Sequence, residues 1–145
     1  MTEELISAYD IRGTEATGLT MECVWNIGKA VADWLPTDGR ILVAGSATQF
    51  TLINAAIEGL RLQGRAVLEA GELTKEQTVE RVTTDRLSGA ILIGHDELEQ
   101  VITVEIYQHE GRLVTSETGL KTLRELIQAG NFVPAATKGD LTSLS

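Results

Sequence analysis

Three short stretches hold residues whose types and spacing could do chemistry. The first is AYDIRG, residues 8–13. Arg12 beside Gly13 can lay a planar guanidinium fork on an anion where the backbone comes close. Asp10 can steer that fork, and Tyr9 can wedge the loop against a sheet. The plain alternative is a structural N-terminal loop with an Asp–Arg surface pair, which contributes little. The second is GSAT, residues 45–48. Backbone N–H groups at a helix start, with the hydroxyls of Ser46 and Thr48, can hold a phosphate. The stretch lacks the glycines and lysine of a P-loop, and a Ser/Thr capping loop reads equally well. The third is GHDELEQ, residues 94–100, with His95 and Asp96 adjacent. A carboxylate beside an imidazole orients it and raises its basicity. The alternative is a solvated acidic loop.

Other polar residues read as structure. Glu72 is a solvated charge, Thr74 a helix cap and His109 a turn residue at the surface. No His/Cys/Asp/Glu spacing suggests a metal cage. No Gly-x-Ser-x-Gly elbow or Cys–His pattern suggests acyl transfer.

The elements that must position these stretches follow from hydrophobic period. Residues 19–35 read as a helix, with Val24, Ile27, Val31 and Leu35 at helical spacing, Thr20 as cap, and Pro36 and Gly39 beyond its end. Ile41–Ala44 is a continuous apolar run, the mark of a strand buried on both faces. Residues 49–62 form a second amphipathic helix stopped by Gly64. Residues 66–71 are a strand, 75–87 a weaker helix, and 89–94 a third buried strand. In 101–114, Ile102, Val104 and Ile106 alternate with Thr103, Glu105 and Tyr107, which predicts a half-exposed strand followed by a Glu-Gly turn. Residues 116–129 form a last helix ending at Gly130. The remainder lacks periodicity. The expected domain is 1–134, with 135–145 a tail or linker.

Alternating helices and strands predict a three-layer α/β/α sandwich on a four-stranded mixed sheet. Three strands are parallel with right-handed crossovers, and the fourth is an antiparallel edge. In such sheets ligands sit beyond the carboxyl ends of the strands. Arg12, the 45–48 bend and His95 are therefore expected at one common rim.

The chain has 145 residues, 43% apolar and 4% aromatic, so one domain with an aliphatic core is expected. Net charge is −9. That surface repels nucleic-acid backbones and anionic lipid, so neither is an expected partner. The lone Cys23 forms no internal disulfide and reads as a small buried apolar residue. No run approaches the ~18 apolar residues of a spanning helix, and the expected location is the cytoplasm.

The AYDIRG stretch resembles the opening signature of the α-D-phosphohexomutases, the phosphomannomutase/phosphoglucomutase superfamily. The resemblance is collinear along nearly the whole chain. It continues through IGKA (Ile27–Ala30), IEGLR with Gly64 (Ile57–Arg61), VEIYQHEGR (Val104–Arg112) and AGNFVPA (Ala129–Ala135). It implies the fold of the first of four domains. Active members carry a phosphorylated serine in a T-A-S-H-N-P loop. An ungapped count from Gly89 to Tyr107 puts that serine at His95, and residues 89–103 contain no serine. The family's G-R-D-x-R segment reads GSATQ here, and its proline-rich turn reads ELTKEQ. The resemblance assigns magnesium binding and sugar reading to later domains, so no cofactor is expected.

Phosphoryl transfer is positioning plus charge stabilisation, and this chain lacks the carrier and the clamp. The expected function is that of a catalytically inactive, standalone first-domain homologue. It would keep a residual phosphate or phosphosugar site built from Tyr9, Asp10, Arg12, Gly13, Ser46, Thr48, His95 and Asp96, or serve regulation. The alternatives are an interaction module that forms a homodimer or docks on other mutase domains, and a subunit of a split mutase. A further enzymatic alternative makes His95 a phosphoryl carrier.

Overall fold

A computed structural model describes residues 1–36 and 38–144. Thr37 lies outside them, as does Ser145, the last residue of the expected tail. The strands are β1 (Ile11–Gly13), β2 (Ile41–Gly45), β3 (Val67–Gly71), β4 (Gly89–Asp96), β5 (Val101–Gln108), β6 (Arg112–Leu113) and β7 (Leu141–Ser143). The helices are α1 (Met21–Trp34), α2 (Phe50–Leu62), α3 (Lys75–Thr84) and α4 (Lys121–Ala129). Residues 116–120 form a π-turn that leads into α4.

The sheet order is β1-β5-β4-β2-β3-β7, with β6 folded back on β5. Strands β2, β3, β4 and β7 are parallel; β1, β5 and β6 pair antiparallel to their neighbours. The three layers are as expected, but the four-stranded sheet is corrected to seven strands among the described residues. β5 is not the edge, because β1 pairs outside it at Ile11↔Val104 and Gly13↔Ile102. β1 and β7 have three residues each, too few for alternation to show in sequence.

Alternation sorts the sheet between two cores. Ile41, Val43, Ile91, Ile93, Val104 and Ile106 face α1, α2 and α4. Leu42, Ala44, Ala90, Leu92 and Tyr107 face Val82 of α3. Tyr107, expected on a half-exposed face, is buried because α3 covers it, and its hydroxyl donates to Glu105 at 3.2 Å. α1 and α2 cross closely through glycine. A Cβ on Gly59 would lie 2.2 Å from the Trp25 carbonyl oxygen, and one on Gly28 would lie 2.6 Å from that of Ala56.

Residues 131–144 are laced along α2 and β3. Arg61 Nε donates to the Gly139 carbonyl at 2.8 Å, Lys138 pairs with Glu58 at 2.7 Å, and β7 extends β3 in parallel.

Candidate functional site

The AYDIRG loop enters the sheet as β1. A serine turn precedes it: the Ser7 oxygen accepts the Asp10 amide at 3.2 Å, its hydroxyl donates to Asp10, and the Ser7 amide donates to the Asp10 carbonyl at 2.9 Å. This holds Asp10 at 6% exposure with its carboxylate facing Arg12. Arg12 donates through Nε and Nη2 to the two oxygens of Asp10, both at 2.9 Å, a bidentate pair. Its Nη1 reaches Glu99 at 2.6 Å and Asp96 at 3.4 Å. The guanidinium is thus enclosed by three carboxylates. The Asp10 hydrogen bonds, aided by Glu99 and opposed by desolvation, push its pKa above the ordinary arginine value.

Asp96 has a second task. Its Oδ1 accepts the amides of Leu98 at 3.0 Å and Glu99 at 3.2 Å, shaping the turn between β4 and β5. The Glu99 amide above all, with Leu98 and Arg12, holds its carboxyl below the usual aspartate range. The cluster of Arg12, Asp10, Asp96 and Glu99 carries formal charge −2, from one cation against three anions. An incoming phosphate meets repulsion there, not a free fork. A divalent cation does not fit either, because Arg12 occupies the point where the three carboxylates converge.

The expectation for Tyr9 is corrected. Its side chain is 65% exposed, so it does not wedge the loop against the sheet. Gly13 is buried for packing: a Cβ there would lie 2.6 Å from both Leu5 Cδ2 and Thr17 Oγ1, so its closeness serves the loop itself.

Ser46, Thr48 and His95 come together elsewhere. With Gln49 and Glu97 they line a cavity of about 420 Å³. Ser46 caps a short 3-10 turn, and its hydroxyl lies 2.8 Å from that of Thr48. His95 Nδ1 sits 3.2 Å from Glu97.

The common rim is also corrected. Arg12, Thr103 and Gly94 share one row of the ladder, and Gly13, Ile102 and His95 share the next. Successive rows point to opposite faces. Arg12 therefore lies on the α3 face and His95 on the α1/α2 face, one strand end divided between two surfaces. Sequence reasoning missed Glu99 and Glu97. Their signal was the acidic run 96–99, read there as solvent-facing charge.

A groove of about 550 Å³ lies between α1 and α2, lined by Met21, Trp25, Phe50 and Ala55 with Glu22 and Asn54. Met21 is 55% and Phe50 62% exposed.

The layers and the strand order describe a mixed α/β/α domain that the AYDIRG stretch enters at one edge. No protein-family model matches the chain. Over 95% of its length it is 27% identical to the phosphomannomutases of Salmonella montevideo and Salmonella typhimurium, covering 31% of each. A phosphoglucomutase/phosphomannomutase family protein from Burkholderia thailandensis has the same fold, with TM-score 0.77 and 18% identity. That match covers 99% of this chain and 33% of that one. The chain is thus similar to phosphohexomutases and spans about a third of the length of these relatives.

Proposed function

We propose that this chain is a phosphohexomutase-type domain that does not itself transfer phosphate and that acts by binding. The carrying observation is the enclosure of Arg12 by Asp10, Asp96 and Glu99. The one cation that the family signature offers to an anion is neutralised within the chain. The absence of serine from residues 89–103 supports the same reading. Without carrier or clamp, no step of phosphoryl transfer has a residue to perform it.

The groove over Met21, Trp25, Phe50 and Ala55 favours protein association, because exposed apolar side chains that share one concavity mark interaction surfaces. A second copy, or other mutase domains, would fill it. A cytoplasmic setting belongs to the same proposal and rests on the lone, buried Cys23. A second reading, residual phosphosugar binding, is favoured by the cavity of Ser46, Thr48, Gln49 and His95, which lies apart from the acidic cluster.

Purified chain, assayed with glucose 1-phosphate and mannose 1-phosphate, is expected to show no mutase turnover. Hexose phosphates are expected to leave the thermal midpoint unchanged, since only a ligand of the folded state raises it. Sedimentation velocity is expected to show concentration-dependent association. Turnover by the chain alone would overturn the proposal; a phosphosugar-dependent rise in midpoint would select the second reading.

A further inference from the structure

Residues 131–144 form a strap that leaves α4 at Gly130 and returns over α2 and β3. Its holds are mostly polar. The Leu62 carbonyl at the end of α2 accepts the Ala135 amide at 3.0 Å, and the Arg61 carbonyl accepts that of Gly139 at 2.9 Å. Arg61 Nε on the Gly139 carbonyl and Lys138 on Glu58 add two side-chain anchors. At the sheet, the Val67 amide donates to the Asp140 carbonyl and the Leu144 amide to the Glu69 carbonyl, both at 2.8 Å. Within the strap only Gly139 is buried, and Phe132 and Leu144 are partly so. Exposed hydrogen bonds with little apolar burial mark a segment that opens well below the cost of global unfolding.

An open strap bares the edge of β3, leaving the Val67 amide and the Glu69 carbonyl unpaired beside buried Val67 and Leu68. Bare edges recruit strands. The seat is selective. A Cβ at position 139 would lie 1.8 Å from the Arg65 carbonyl oxygen, so the incoming segment needs glycine there. Glu58 calls for a cation one residue earlier. Every copy of the chain carries that step as Lys138–Gly139. The hinge permits a trade. Gly130 sits at φ +64, and a Cβ there would meet nothing nearer than 3.9 Å. The left-handed turn, rather than close packing, is what requires glycine where the strap folds back.

We propose that two copies exchange straps, each laying residues 131–144 on α2 and β3 of the other. The contacts of the closed chain recur between copies, so no new complementarity is required. This seat is distinct from the α1/α2 groove except for Glu58, which stands on the lip of both and is left unchanged in the test.

The experiment is a disulfide reporter in the full chain. Glu69 and Ser143 are register partners between β3 and β7. Paired positions on neighbouring strands stand about 4.8 Å apart, within reach of a disulfide. Glu69→Cys/Ser143→Cys, in a Cys23→Ala background, is equilibrated reduced at high concentration, diluted, oxidised at once and run denatured without reductant. Exchanged copies are expected as covalent dimers, in the fraction that sedimentation velocity finds dimeric. Gly130→Val penalises only the closed chain and is expected to strengthen the dimer, roughly fivefold per copy and about twenty-fivefold in all. Gly139→Ala shuts the notch in both arrangements and is expected to abolish the dimer. Dimers whose disulfides stay within one chain, or dimers that survive Gly139→Ala, would overturn the exchange and leave the groove as the contact. Monomer at every concentration, or no gain with Gly130→Val, would overturn it as well.

Discussion

If the acidic enclosure is what silences Arg12, opening it should restore phosphate binding. The perturbation is the double variant Asp96→Asn/Glu99→Gln. Asparagine keeps the Oδ1 acceptor for the Leu98 and Glu99 amides, so the turn survives. Asp10, with both oxygens on Arg12, keeps the guanidinium in place. A phosphate dianion seated on the freed Nη1 would stand about 5 Å from each removed charge. In a water-like dielectric, with a Debye length of about 8 Å, each carboxylate weakens such binding roughly fourfold to fivefold. The pair therefore accounts for roughly twentyfold in phosphate affinity. Titration with inorganic phosphate at constant ionic strength, read at the Arg12 Nε–H and Gly13 amide signals, measures the change. An unchanged affinity in the double variant would refute the enclosure as the cause. So would phosphate binding by the parent chain as tight as by the variant.

Gly59→Ala is expected to destabilise the fold. Its Cβ would press the Trp25 carbonyl and part α1 from α2, costing about 1–3 kcal/mol beyond the helix-propensity gain of about 1 kcal/mol. A fall of several degrees in thermal midpoint is expected, and a rise would contradict the packing account. Asp96 is held below the ordinary aspartate pKa, so its share of turn stability is present above about pH 4 and lost as pH falls through its folded value. A carboxyl-carbon titration that places its midpoint at or above the free-aspartate value would exclude this. Burial pushes the Cys23 thiol up, so alkylation at pH 8 should be at least about tenfold slower in folded chain than in urea-unfolded chain. Equal rates would show that α1 opens freely.

The long periodic segments were legible. α1 and α2 repeat apolar residues at helical spacing, and β2 and β4 are apolar runs that two layers must cover. The two short strands at the ends of the order were not. β1 reads Ile-Arg-Gly, and its pairing is set by β5, some ninety positions on. The Asp10–Arg12 pair was legible because an acid and a guanidinium two residues apart lie within side-chain reach of each other. Glu99 was not, since only the β4–β5 turn brings it across 87 residues to Arg12. Tyr9 failed for a local reason: the turn before β1 points Asp10 inward and leaves its neighbour in solvent.

The ladder between β4 and β5 runs without interruption to Asp96↔Val101, so the intervening turn is only residues 97–100. Position 95 is therefore a rung on a rigid post, not a point on a swinging arm. Writing a serine there would hang a hydroxyl beside Ser46, Thr48 and Gln49, across the sheet from Arg12. One letter changes the atom displayed and leaves the side on which it hangs as it was.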